Sequence, residues 1–163
     1  MKESLIIIQS GDYSNDDAYE SVLTYVSKKN YVGGYGMQLP PNRDNAIKAF
    51  YRAEQNSNYE NSRYLWHFSI SLPEKTDNYE FLQFGDRIAM LFAYNYQVLY
   101  SLDLEKTHPH IHFAVNAYSY HPDHPLLSED VFDEYMAVCL NMLQHTYPDY
   151  KARITEGRIR LDV

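Results

Sequence analysis

Residues 100–116 read YSLDLEKTHPHIHFAVN and hold the side chains best suited to chemistry. His110, His112, Ala114 and Asn116 alternate with Ile111, Phe113 and Val115, which predicts a strand, and residues two apart in a strand point the same way. His110 and His112 therefore present imidazoles side by side, the arrangement of two ligands on one metal ion. Asp103, at the end of a preceding strand, reaches across the short connection as a third ligand, with Glu105 orienting a histidine from behind. Two nitrogens and one oxygen leave coordination positions open. The plain alternative is a histidine patch that titrates near neutral pH. A His-Pro-His-x-His run beside Asp and Glu is a rarer pattern than two histidines alone and favours the metal. His121 and His124, in a Tyr-His-Pro-Asp-His-Pro loop, are further ligands or solvated loop positions. His67 lies on the polar face of another strand, where a hydrogen-bonded filler is the ordinary role for a lone histidine.

Several elements must position these groups. Leu5 to Gln9 reads as a short buried strand, and Asp16 and Asp17 stand where helix N-caps prefer to be, ahead of a helix over 17–28 with Ala18, Val22 and Val26 on one side. Residues 30–37, with three glycines among tyrosines, read as extended, tightly turned chain. Asn42 opens a second helix with Ala46, Ile47 and Phe50 inward and Arg43, Lys48 and Arg52 outward. Over 64–72 the residues Trp66, Phe68, Ile70 and Leu72 alternate with Leu65, His67, Ser69 and Ser71, a strand with one apolar and one polar face. Phe81, Phe84, Ile88, Leu91 and Phe92 recur at helical spacing over 76–94, and a further strand follows over 96–101. Ser128 caps a helix to about Thr146 whose stripe is Val131, Tyr135, Val138 and Met142, and residues 151–163 form a basic, strand-like tail. With no repeat, linker or low-complexity tract, residues 1–163 read as one α+β domain, a single antiparallel sheet flanked by helices that cover one side. The polar faces around His67 and His112 should meet beneath one cleft, leaving the ligands half-exposed.

Composition sets the outer limits. With 163 residues, 45% apolar and 22% charged, the chain is long enough for an ordinary core. The longest apolar run, Leu5 to Ile8, is too short to span a membrane, and residues 1–3 lack a secretory pattern, so a soluble, cytoplasmic protein without membrane partners is expected. Cys139, the single cysteine, has Val138, Leu140 and Met142 as neighbours and reads as a buried structural thiol. A net charge of −8 argues against coating nucleic acid by bulk electrostatics but leaves room for a local site. Residues 28–63 carry six basic and three acidic side chains, and residues 151–160 four basic and one acidic, so two basic segments flank an acidic body.

The motif His110-Ile-His112, followed by Phe113-Ala-Val-Asn116, resembles the metal-binding strand of the relaxase, or mobilization nuclease, group within the HUH endonuclease superfamily. Residues 20–29, ESVLTYVSKK, resemble the segment in which relaxases carry their nucleophilic tyrosine, and Tyr31-Val-Gly33-Gly34 the glycine turn after it. Residues 66–71, WHFSIS, resemble their "His, apolar, Ser" strand. The likeness runs over residues 18–120 or so. Where relaxases place a third histidine this chain has Asp103, and where an aspartate follows two positions later it has Glu105. A carboxylate ligand is harder than imidazole and shifts the preference toward Mg²⁺ or Mn²⁺.

The resemblance implies nicking and religation of one DNA strand at an origin of transfer of a plasmid or other mobile element during conjugation. Tyr25 would be the nucleophile, Asp103, His110 and His112 the metal ligands, and Glu105, His108, His67 and Asn116 the residues behind them. Tyr25 also falls at the edge of its helix's apolar stripe, as a core tyrosine would, and Tyr19, Tyr31 and Tyr35 lie near it. Lys28, Lys29, Arg43, Lys48 and Arg52 are the candidates for holding single-stranded DNA, although Arg43, Lys48 and Arg52 equally suit a solvated helix face. Other proteins of the transfer machinery are expected partners. Two other readings compete: a degenerate relaxase-like domain that binds DNA or a partner and cuts nothing, and a replication-initiation nickase, for which Tyr135 or Tyr147 would serve after the histidine motif.

Overall fold

The computed structural model describes residues 4–9, 13–60, 63–104 and 109–157, so Glu105, His108 and residues 158–163 of the basic tail lie outside the described residues. In chain order the elements are β1 (Ser4–Gln9), α1 (Ala18–Ser27), β2 (Asn30–Tyr35), α2 (Arg43–Asn56), β3 (Leu65–Ser71), α3 (Asn78–Ala93), β4 (Tyr96–Asp103), β5 (His110–Ser119), α4 (Glu129–Thr146) and β6 (Lys151–Glu156). The strands form one six-stranded sheet in the order β2-β4-β5-β3-β1-β6. Four of its five pairings are antiparallel, but β6 runs parallel to β1, from Ser4 opposite Lys151 to Gln9 opposite Glu156. The expectation of a purely antiparallel sheet is thereby corrected to a mixed sheet.

Helices cover both faces of the sheet, not one as its alternation of apolar and polar residues implies. On the apolar face, Trp66, Phe68, Ile70, Ile111, Phe113 and Val115 pack with Phe84, Ile88 and Phe92 of α3 and Phe132, Met136 and Cys139 of α4. Trp66 stacks on Phe132 with ring centroids 4.1 Å apart and donates its indole N–H to the Leu127 carbonyl at 2.8 Å. On the other face, Tyr19, Val22, Leu23, Tyr25 and Val26 of α1 and Ala46 and Phe50 of α2 close over Leu65, Leu99 and Ala114. Every residue of β3 and β4 is buried as a result. The polar face of β3 thus lies beneath α1, where the sequence leaves it at an open cleft.

Local chemistry accounts for the helix ends. Asn42, Asp77 and Ser128 each accept, through the side chain, the backbone N–H three residues on. Asp17 occupies the N-cap of α1 but makes no side-chain capping bond. The buried stripe of α4 is Phe132, Met136, Cys139 and Leu143, one residue out of step with the expected stripe, and Val138 is 44% exposed. Both sets repeat at helical spacing; the packing of Phe132 on Trp66 selects the first. At Gly33 a Cβ would come within 2.4 Å of the Tyr100 ring, so this position must stay bare for Tyr100 to lie against β2. None of the described helices is long and apolar enough to cross a membrane.

Candidate active site

The covered polar face gathers the candidate residues across three adjacent strands, β4, β5 and β3. The antiparallel register sets Ser71 opposite His110 and Ser69 opposite His112 on one side of β5, with Asp103 opposite His110 and Ser101 opposite His112 on the other. Serines on both flanks leave room for the imidazole between them. His112 is 1% exposed and His67 is completely buried, so the expectation of half-exposed ligands is corrected; His110, half-buried at the strand's start, is the more accessible. The cause is α1, which lays Tyr25 against both histidines: its ring centroid is 5.2 Å from that of His112 and 5.7 Å from that of His67, edge-on in each case.

The polar atoms form a row. Nε2 of His112 faces Oδ2 of Asp103 at 3.6 Å, and Nδ1 of His112 faces Nε2 of His67 at 3.4 Å. The row continues past His67, whose Nδ1 lies 3.3 Å from the Tyr13 hydroxyl, and past Asp103, whose Oδ2 lies 3.6 Å from Nζ of Lys29. Burial, and secondarily the neighbouring His112, hold the His67 imidazole well below the ordinary histidine pKa, so His67 is neutral at pH 7. A neutral His67 has one nitrogen to accept and one to donate. If His112 uses the Nε2 lone pair toward a cation, its proton sits on Nδ1 and is donated to Nε2 of His67, and the His67 Nδ1–H is then donated to Tyr13. That one assignment satisfies the whole row.

Whether these residues suit a metal ion depends on donor spacing. With metal–ligand bonds of about 2.1 Å, two donors on one ion stand about 3.0 to 3.4 Å apart. Asp103 Oδ2 and His112 Nε2, at 3.6 Å, are within a few tenths of that. The His110 ring stands nearly parallel to that of His112, centroids 6.4 Å apart, on the same face. Among the described residues no three His, Cys, Asp or Glu side chains are drawn together around one point. Ser101, beside Asp103 on this side of the sheet, is completely buried and its hydroxyl has no hydrogen-bond partner among the described residues. A hard oxygen donor, an imidazole at ligand spacing and a buried hydroxyl without a hydrogen-bond partner among the described residues are of the chemistry a divalent cation takes, and the His110 ring lies on the same face.

Other expected residues stand elsewhere. Asn116 accepts from the Tyr19 hydroxyl at 2.9 Å and donates to Gln97 and to the Phe50 carbonyl, which ties α1 and α2 to the sheet. Four residues along a strand, it lies about 13 Å from His112 and does not stand behind it. Arg43 bonds Thr24 at 2.8 Å and pairs with Asp44, and Lys28 is exposed at the end of α1. Lys48 and Arg52 line a cavity of about 510 Å³ with Gln97 and Tyr120, at the opposite end of β4 from Asp103. Tyr19 is buried with its pKa driven up, Tyr31 is half-exposed and bonded by Asn78, and Tyr35 donates to Asp86, so Tyr25 is the member of that group that meets the histidines. Tyr135 stacks on Phe92 and Tyr147 bonds Glu80, both against the far side of the sheet. Sequence reasoning misses Tyr13 and Ser101 and gives Lys29 only a role on DNA. Tyr13 lies within the turn cluster of residues 11–15 with nothing to mark it, whereas the spacing of Lys29, four residues after Tyr25, was a usable signal.

The family model described as relaxase, MobA/VirD2-like, nuclease domain matches residues 24–138 of the chain. Among solved structures, one from work on the molecular basis of vancomycin resistance transfer in Staphylococcus aureus is similar in fold. It has a TM-score of 0.63 and 10% sequence identity, over 94% of this chain and 98% of the other. No curated protein matches significantly.

Proposed function

The chain belongs to the relaxase family, as a nuclease domain of the MobA/VirD2-like kind, and on that footing we propose that it cuts and rejoins one DNA strand with Tyr25 as nucleophile. DNA nicking at an origin of transfer is what the family generally does. The phenol oxygen of Tyr25 attacks the scissile phosphorus, the bond from phosphorus to the 3′ oxygen breaks, and the 3′ oxygen takes up a proton while the phenol gives one up. The products are a 5′-phosphotyrosyl protein and a free 3′-hydroxyl, and the reverse attack reseals the strand. The Tyr25 ring is positioned by its edge contacts with His112 and His67. Asp103, His112 and His110 would hold a divalent cation, Mg²⁺ or Mn²⁺, which when bound neutralises charge on the non-bridging phosphate oxygens. His67 keeps His112 in the tautomer that leaves Nε2 available. Single-stranded DNA is the partner, joined by other proteins of the transfer machinery, and the cytoplasm is the site of action.

The observation that supports this reading best is the packing of Tyr25 against His112, with Asp103 at the Nε2 edge of the same imidazole. Incubation with Mn²⁺ and a single-stranded oligonucleotide carrying the cognate nick site should yield a protein–DNA adduct stable to denaturant. Tyr25→Phe should abolish the adduct while changing stability by about 1 kcal/mol or less, since the ring contacts remain. An adduct that persists in Tyr25→Phe would move the role to Tyr13, whose hydroxyl is already beside His67. A DNA-binding domain that does not cut is favoured by one specific observation: Tyr25 is only 8% exposed. With a verified nick site and bound metal, the absence of any adduct would favour that second reading.

A further inference from the structure

Lys29 ends the row of polar groups at a position that chain geometry fixes. It follows Tyr25 by four residues, just past the C-cap of α1 at Lys28, and its Nζ lies 4.6 Å from the centre of the Tyr25 ring. It also precedes β2, whose first residue, Asn30, pairs with Leu102 in the antiparallel register; one step further sets Lys29 opposite Asp103. The ammonium is 3.6 Å from Oδ2 of Asp103, the same oxygen that faces His112 Nε2 at 3.6 Å. With its side chain 23% exposed against 3% for Asp103, Lys29 lies at the outer end of the pair and can move toward solvent without opening the core.

A carboxylate oxygen that serves a divalent ion cannot hold an ammonium at the same spot, because two like charges would meet within about 4 Å at low dielectric. We propose that Lys29 is the exchangeable counter-cation of this site: it holds Asp103 when no ion is bound, and binding of the ion releases it beside Tyr25 to contact the phosphate of the incoming strand. The inference rests on the metal reading above and adds a regulation to it. Metal and single-stranded DNA are thereby coupled, each favouring the other through one lysine. Asp103 is essential to the device, since a neutral imidazole there would offer the ammonium no charge to hold.

Mn²⁺ titration of the purified full chain, followed by electron paramagnetic resonance of free Mn²⁺, tests this without any measurement of cutting. Lys29→Met should bind Mn²⁺ about 10-fold more tightly than the unaltered protein, and Lys29→Arg, which keeps the charge, should restore the original affinity. Should Lys29→Met fold poorly by circular dichroism, Lys29→Gln carries the same expectation. In an Asp103→His background the effect of removing Lys29 should shrink to within about 2-fold, as a double-mutant cycle requires. Unchanged or weaker binding in Lys29→Met, with clear binding by the unaltered protein, would overturn the proposal and leave the metal reading standing. If neither folded protein binds Mn²⁺, the metal reading falls and takes the counter-cation with it. Binding by Lys29→Met alone would be the strongest support. Anisotropy with a fluorescein-labelled mixed-sequence single strand completes the test: Mn²⁺ should tighten binding to the unaltered protein more than to Lys29→Met, and equal tightening in both would overturn the released-ammonium step.

Discussion

His112 is the residue on which the site turns, because both ring nitrogens face polar partners: Nδ1 toward His67 and Nε2 toward Asp103. The sequence made His112 legible, since a histidine, hydrophobic, histidine run on a strand fixes the side of the sheet it occupies. It also led to the expectation that the polar faces around His67 and His112 meet, and β3 does lie beside β5; what it left open is the register, which pairs His67 with Ala114 and brings the two rings into direct contact. A prediction follows from that contact. His67→Ala removes the group that would accept from His112 Nδ1 with a cation at Nε2, so the affinity for Mn²⁺ should fall by about 10- to 100-fold, the usual effect of losing a residue that orients a ligand. His67→Gln, which keeps an acceptor in the same place, should recover part of it. Because His67 is completely buried, His67→Ala should also lower stability by about 1 to 3 kcal/mol. Calorimetric titration paired with thermal melts separates the two effects; a loss of stability with full metal affinity would make His67 a packing residue only.

Among the elements, the caps at Asn42 and Ser128, set by local chemistry, were read correctly, although Asp17 makes no capping bond, whereas the stripe of α4 and the cover over β3, set by distant contacts, were not. The caps at Asn42 and Ser128 depend on one side chain and an N–H three residues on, and both form. The stripe of α4 depends on what the helix meets, and two sets of residues repeat at the same spacing about 100° apart around it. The polar face of β3 read as a face open to a cleft because His67, Ser69 and Ser71 carry no signal of the helix above them, whereas α1 seals them in. The choice of stripe has a measurable consequence. Phe132, stacked on Trp66 and fully buried, should cost about 3 to 5 kcal/mol when replaced by alanine. Val138, at 44% exposure, should tolerate alanine within about 0.5 kcal/mol, helped by the higher helix propensity of alanine. Urea unfolding of the two variants decides between the stripes, and comparable losses at both positions would contradict the packing described.

At the scale of the molecule, the parallel pairing of β6 with β1 joins residues near the two ends of the described chain, a contact that no window of sequence reports. The seventeen tyrosines were visible as a count, but their consequence depends on where they are buried. Burial pushes the Tyr96 and Tyr147 phenols up to about 12, with Tyr135 beside the first and a Glu80 hydrogen bond on the second adding to the effect. Burial likewise raises Tyr100, which also donates to Asp86, and raises Tyr19. A phenol whose pKa is higher in the folded protein than its unfolded value of about 10 binds more protons folded than unfolded above that pH. Its stabilising share is therefore intact below about pH 10 and is lost as the pH rises toward the folded value, so stability should fall steeply between about pH 10 and 12. The buried tyrosines are spread over both faces of the sheet, Tyr19 beneath α2 and Tyr96 and Tyr100 against α3 and α4, so no single layer can ionise and leave the others folded. Titration with base should consequently show a first, gradual rise of tyrosinate absorbance with helical circular dichroism unchanged. A second, abrupt rise should then coincide with loss of that dichroism, and the urea midpoint should drop between about pH 10 and 12. Smooth ionisation of all the tyrosines near pH 10 with the helices intact would show that these phenols are not held in the core.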